Sequence, residues 1–162
     1  MKLTWDDLTI SPKGLDFEEL MGSWCWLVDE PFAPVLLSAL GDFFLQDASG
    51  AVYRLDTAWG QLTKVADDHA EFHRLRADPA TAREWFRAEL VGQLKAAGVK
   101  LKRKQCYGWK VPPVLGGEES AENLEPTDVS VHFGILGQIH EQVKDLPAGT
   151  PIGEIKIEGL DA

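Results

Sequence analysis

Hydrophobic spacing along residues 16–27 is helical: Phe17, Leu20, Met21 and Trp24 fall on one face. Asp16, followed three residues later by Glu19, has the form of a capping box, and Pro31 and Pro34 close the segment. The period then shortens. Val35-Leu36-Leu37, Asp42–Gln46, Ala51–Leu55 and Gln61–Val65 are short strand-like runs, and Asp47-Ala48-Ser49-Gly50 supplies hairpin turn chemistry between two of them. Asp67 and Asp68 open a helix carrying Phe72 and Leu75. Asp78-Pro79 is an acidic N-cap followed by Pro at the first helical position, and it predicts one helix to about Ala97, stopped by Gly98. Its apolar stripe is Phe86, Leu90 and Leu94, flanked by Trp85 and Val91.

Residues 99–126 are mostly non-helical in pattern. A helix is predicted from Asp128 to about Lys144 on Val129, Phe133, Leu136, Ile139 and Val143, although Val129-Ser130-Val131 also fits a strand. In the tail, Ile152, Ile155 and Ile157 alternate with other residues and suggest an edge strand. Residues 1–15 read as irregular or as a short edge strand. These elements predict an α+β fold: a three- to five-stranded antiparallel meander packed against several helices. They form a single domain over residues 1–162, with 1–15 and 146–162 as peripheral extensions.

Composition narrows the function. At 44% apolar, the chain can bury a core without disulfide or metal support. The net charge of -10 disfavours nucleic acid as the main partner. The charge lies in blocks of -7 over residues 1–60, +5 over 61–110 and -8 over 111–162. A basic cluster (Lys100, Lys102, Arg103, Lys104) and an acidic one (Glu118, Glu119, Glu122, Glu125) are expected to pair across the fold. Cys25 and Cys106 are too few for a disulfide framework, which suits a reducing compartment. The start has no signal-peptide pattern and no stretch is long enough to span a bilayer, so a cytoplasmic location is expected, with no membrane partner.

Reactive constellations are sparse. His69 and His73 share a helix face, but Glu71 is two residues from His69, which is the wrong offset for the zinc-protease motif. His132 and His140 are eight apart and suited to interhelical hydrogen bonds. Cys106 reads as a small buried thiol. Gly116-Gly117 lacks a phosphate-loop signature and reads as a turn needing positive φ. No catalytic residue, metal ligand or cofactor site is predicted.

The run Cys106-Tyr107-Gly108-Trp109-Lys110-Val111-Pro112-Pro113-Val114-Leu115-Gly116-Gly117 is followed by Glu122-Asn123-Leu124 and by His132-Phe133-Gly134-Ile135-Leu136-Gly137-Gln138-Ile139. It resembles the C-terminal domain of type VI secretion immunity proteins that resist a DNase effector. The earlier hairpin and the Glu71-Phe72 helix are similar to the wider Smi1/Knr4-like immunity superfamily, and together the resemblance spans about residues 15–145. Pro-Pro-Val-Leu departs from the usual apolar run before Gly-Gly. The resemblance implies an α+β, non-enzymatic protein that binds a cognate bacterial toxin, plausibly a nuclease. Glu118, Glu119, Glu122, Glu125 and Trp109 are the candidate partner-binding residues, on a monomer or weak homo-oligomer. The competing expectations are a cytosolic adaptor without a toxin, or a small enzyme or ligand-binding protein using the Cys106 and His132 region.

Overall fold

The computed structural model describes residues 2–159. The central sheet is an antiparallel meander in the order β1 (Thr9–Ile10), β2 (Ala33–Ser38), β3 (Phe43–Gln46), β4 (Val52–Asp56) and β5 (Gln61–Ala66). Strand alternation splits its side chains between two cores. Phe44 and Val52 face one core with Phe72, Phe86, Val91, Leu94 and Tyr107. Leu37, Phe43, Leu45 and Leu55 face the other with Trp24, Cys106, Phe133 and Leu136. Helices therefore cover both faces: α3 (His69–Arg76), α4 (Pro79–Phe86) and α5 (Ala88–Ala96) on the first, α2 (Phe17–Met21) and α6 (Val129–Val143) on the second. A separate two-stranded ribbon, β6 (Gln105–Trp109) with β7 (Leu124–Asp128), brackets the sheet, and its Tyr107 N–H donates to Ala39 O at 2.8 Å. The fold is α+β, as expected.

Several predicted elements change. The helix expected over 16–27 ends at Met21 and continues as a 3-10 turn, Gly22–Trp24; Asp16 does cap it, accepting from the Glu19 N–H at 3.3 Å. Residues before Pro12 hold a capped turn, α1 (Trp5–Leu8), ahead of edge strand β1. Val129-Ser130-Val131 is helix, because Leu124–Asp128 supplies the strand and α6 starts directly after it. The alternating tail forms no strand up to Gly159, the last described residue; residues 160–162 of that extension lie outside the described residues.

The largest correction concerns residues 79–97. Two helices meet at Arg87, which adopts φ 46, ψ 50. A left-handed conformation is unfavourable for a side-chain-bearing residue, so tertiary contacts must hold it there.

The two histidines on α6 reach the β3 and β4 ends. His132 Nε2 lies 2.9 Å from Thr57 Oγ1 and 3.2 Å from Gly41 O, and His140 Nε2 lies 2.8 Å from Thr57 O. With the proton on Nε2, both rings donate. Thr57 in turn donates its N–H and its hydroxyl to Asp42 Oδ1, each at 2.8 Å. The rings sit so close to Gly41 (φ 79) and Gly60 (φ 66) that a Cβ at either position would collide with an imidazole. Burial pushes His132 down to about 4, against the pull of Asp42 and the Gly41 carbonyl, and burial also lowers His140.

Two stability predictions follow from this joint. Thr57→Val keeps the shape but strips the hydroxyl from His132 and Asp42; it should cost about 1–3 kcal/mol in a denaturant titration. For His132, the unfolded ring binds a proton below its ordinary 6.5 while the folded ring resists until about 4. Stability should therefore fall on acidification across that window, by about 1.4 kcal/mol per pH unit at most for this one group. A urea midpoint unchanged between those two pH values would contradict a neutral buried His132.

Candidate partner-binding face

Arg87 is held by carboxylates from three parts of the chain. Its Nη1 donates to Asp42 Oδ2 at 3.0 Å, and its Nη2 lies 3.3 Å from Asp56 Oδ2 and 3.2 Å from Glu119 Oε1. Arg54 adds a second contact to Asp42, at 3.2 Å. Asp42 has 1% side-chain exposure, whereas Glu119 has 42%, so the network runs from the interior to the surface. Burial disfavours charge on Asp42, but Arg87, Arg54 and Thr57 outweigh it and hold that carboxyl below the usual range. Burial, then repulsion from Asp42, raises Asp56. Burial works against the Arg87 charge too, yet Asp42, Asp56 and Glu119 keep it raised.

The outer end of this network is the loop between β6 and β7. Pro113–Leu115 form a 3-10 turn, after which Gly116 takes φ 96 and the Gly117 N–H donates to Pro112 O at 3.1 Å. Gly117 lies against the Val111 carbonyl so closely that no Cβ fits. Asn123 closes the loop: its Oδ1 accepts from Val111 N at 2.9 Å, and its Nδ2 donates to Val111 O and to Glu118 O, both at 2.8 Å. The double glycine is thus one backbone turn plus one close approach, and the Asn of the Asn-Leu pair is its lock.

This loop presents Glu118, Glu119 and Glu122, all exposed. Trp59, 44% exposed, donates from Nε1 to Glu119 Oε1 at 3.4 Å, and Val111, 48% exposed, flanks the Gly117 contact. Trp109 is half-buried, with the Arg87 guanidinium 5.8 Å from its ring centre. Glu125 stands apart on β7, opposite Gly108. The structure brings Glu119 and Trp109 together through Arg87 and keeps Glu118 and Glu122 on the same loop. The predicted pairing of the acidic and basic clusters is not seen among the described residues: Glu119 pairs with Arg87, and no ion pair joins Lys100, Lys102, Arg103 or Lys104 to Glu118, Glu122 or Glu125. The basic run precedes β6 in the chain and the acidic run follows it, and the acid that is paired, Glu119, meets Arg87 from the α4–α5 junction.

Sequence reasoning missed Arg87 and Trp59, and it quoted Asn123 only as part of the family run, with no structural role. Arg87 lies within an amphipathic stretch and has no local mark. The other singled-out groups are placed as follows. Cys106 has no exposed surface, and burial raises its thiol. His69 and His73 meet edge-on, 4.5 Å between ring centres, on the exposed side of α3. No helix among the described residues is long and apolar enough to cross a membrane.

Residues 66–140 match the family described as T6SS immunity protein Tdi1, C-terminal. The match supports a T6SS immunity domain in this part of the chain. The matched segment runs from the end of β5 to His140, and so contains Arg87, the double-glycine loop, Asn123 and most of α6. The β2–β4 hairpins, with Asp42, Asp56 and Thr57, lie outside it. Among solved structures, Atu4351 from Agrobacterium tumefaciens shares the fold, with a TM-score of 0.50 at 17% identity. The alignment covers 75% of this chain and 63% of that one, so this chain spans less than two thirds of Atu4351. No curated protein matches significantly.

Arg87 substitutions separate charge from backbone strain. Arg87→Ala leaves Asp42 buried with one cation and keeps a Cβ in the left-handed region; a loss of about 3–5 kcal/mol is expected. Arg87→Gly removes the same guanidinium but relaxes the backbone, and should recover about 1 kcal/mol of that loss. Equal melting temperatures for the two variants would show that the left-handed turn carries no strain.

Proposed function

We propose that this chain neutralises a cognate bacterial toxin by direct binding, and that the acidic loop after β6, with Trp59 beside it, makes the first contact. The Tdi1 family match carries this reading, since it supports an immunity-like role. A toxin that acts on nucleic acid needs a basic cleft to attract phosphate. Glu118, Glu119 and Glu122 offer carboxylates to such a cleft from a loop already fixed by Asn123 and Gly117, so little ordering entropy is lost on docking. Trp59 adds an exposed aromatic at the same place, the residue type that most often anchors an interface. The net charge of -10 steers encounter with a basic partner. Binding rather than catalysis is the role this arrangement supports.

The expected partner is a toxin encoded beside this chain, and the test uses that toxin. Association should slow as salt rises, and Glu118→Lys with Glu122→Lys should slow it further at low salt, by about tenfold. Glu119 is left intact because it also holds Arg87. A tight complex whose association rate ignores both salt and the charge reversal would remove the acidic-loop reading while leaving immunity itself open to other faces.

A further inference from the structure

Gln138 and Gln142 on α6 hold the extended tail by its backbone. Gln138 Nε2 donates to Glu158 O and its Oε1 accepts from Glu158 N, both at 2.6 Å. Gln142 repeats the pattern one turn on, donating to Lys156 O at 2.7 Å and accepting from Lys156 N at 3.0 Å. Four residues of helix rise about 6 Å, and two residues of strand span about 6.6 Å. The two carboxamides therefore match alternate peptide units of an extended chain, as an edge strand would. Each is also tied down by its own helix: Gln138 Nε2 donates to Gly134 O and Gln142 Nε2 to Gln138 O, both at 3.1 Å.

No tail side chain takes part in these bonds, so the clamp reads backbone and not sequence. No residue from Lys144 to Gly159 is buried, so little apolar burial holds the tail down. Glu158 and Glu19 line the same groove, with Leu20, Ser23, Ser130 and Val131, so the tail brings a second acidic residue to a groove that already has one.

We propose that the Gln138–Gln142 face of α6 is a docking site for an extended peptide segment of a partner protein, one with a basic residue where the tail carries Glu158. The chain's own residues 156–158 occupy the site in cis and yield it to that better-matched strand.

The first measurement is amide exchange on the full chain. Lys156 and Glu158 amides should be protected, and the protection should vanish in Gln138→Ala/Gln142→Ala while the β3 and β4 amides stay protected. The second uses full chain carrying Lys156→Pro and Glu158→Pro, which removes both tail N–H donors, leaves the glutamines only the two tail carbonyls and so loosens the tail. A labelled synthetic peptide of residues 150–159 should bind this variant saturably. The same peptide with Glu158→Lys should bind about threefold tighter, and both should fail once the two glutamines are replaced. No saturable binding, or binding indifferent to the glutamines or to the charge at 158, overturns the proposal. A dimer of the unmodified chain that is lost in Gln138→Ala/Gln142→Ala would assign the clamp to a second copy, and overturns the foreign occupant. None of these readouts requires a toxin, so their failure leaves the immunity reading untouched.

Discussion

A carboxylate with almost no exposed surface organises this molecule. Asp42 sits at the start of β3 and cannot stay charged in an apolar interior unless cations and donors converge on it. Arg54 reaches it from the neighbouring strand, Arg87 from the junction of α4 and α5, and Thr57 from the loop after β4. Each of these partners is then committed to a place. Thr57 is fixed by Asp42 on one side and receives two histidines from α6 on the other, so the helix on one face of the sheet and the arginine from the opposite face are registered against the same acid.

The same constraint extends outward. Arg87 has more carboxylate partners than Asp42 alone, and the last of them, Glu119, belongs to the loop that carries the double glycine. The loop is thus anchored twice: internally by Asn123, which ties three backbone atoms together, and externally through Glu119 to the charge network. Trp59, from the Thr57 loop, meets the same Glu119. A surface built this way is presented in one geometry, which suits recognition better than a mobile acidic tail would. It also explains why a left-handed arginine is retained: the strain at one residue is offset by three ion pairs.

The family match and the charge network overlap only in part. Arg87, Glu119 and Asn123 lie inside residues 66–140, but two of the three acids that hold Arg87, Asp42 and Asp56, lie in the meander before it. The matched segment therefore carries only one of the Arg87 counter-charges, Glu119, and the meander supplies the other two.

Local rules were sufficient for much of the fold. The period-two runs and the Asp47–Gly50 turn specified the meander, and the acidic caps at Asp68 and Asp78 specified two helix starts, because hairpin register and capping depend on residues close in sequence. The segment from Cys106 to Ile139 pointed to the immunity family, since a positive-φ glycine, a close-approach glycine and an asparagine lock impose fixed residue types at fixed spacing. Tertiary structure alone decided the rest. The break at Arg87 is invisible locally: helix propensity and the apolar stripe run straight through it, and only Asp42, Asp56 and Glu119, each more than thirty residues away, hold the chain there. The tail likewise has a strand's alternation, but it bonds to two glutamines on a helix, where side-chain amides take the place of a neighbouring strand. Long-range charge pairing and side-chain mimicry of backbone leave no periodic trace, so neither could be read before the chain was folded.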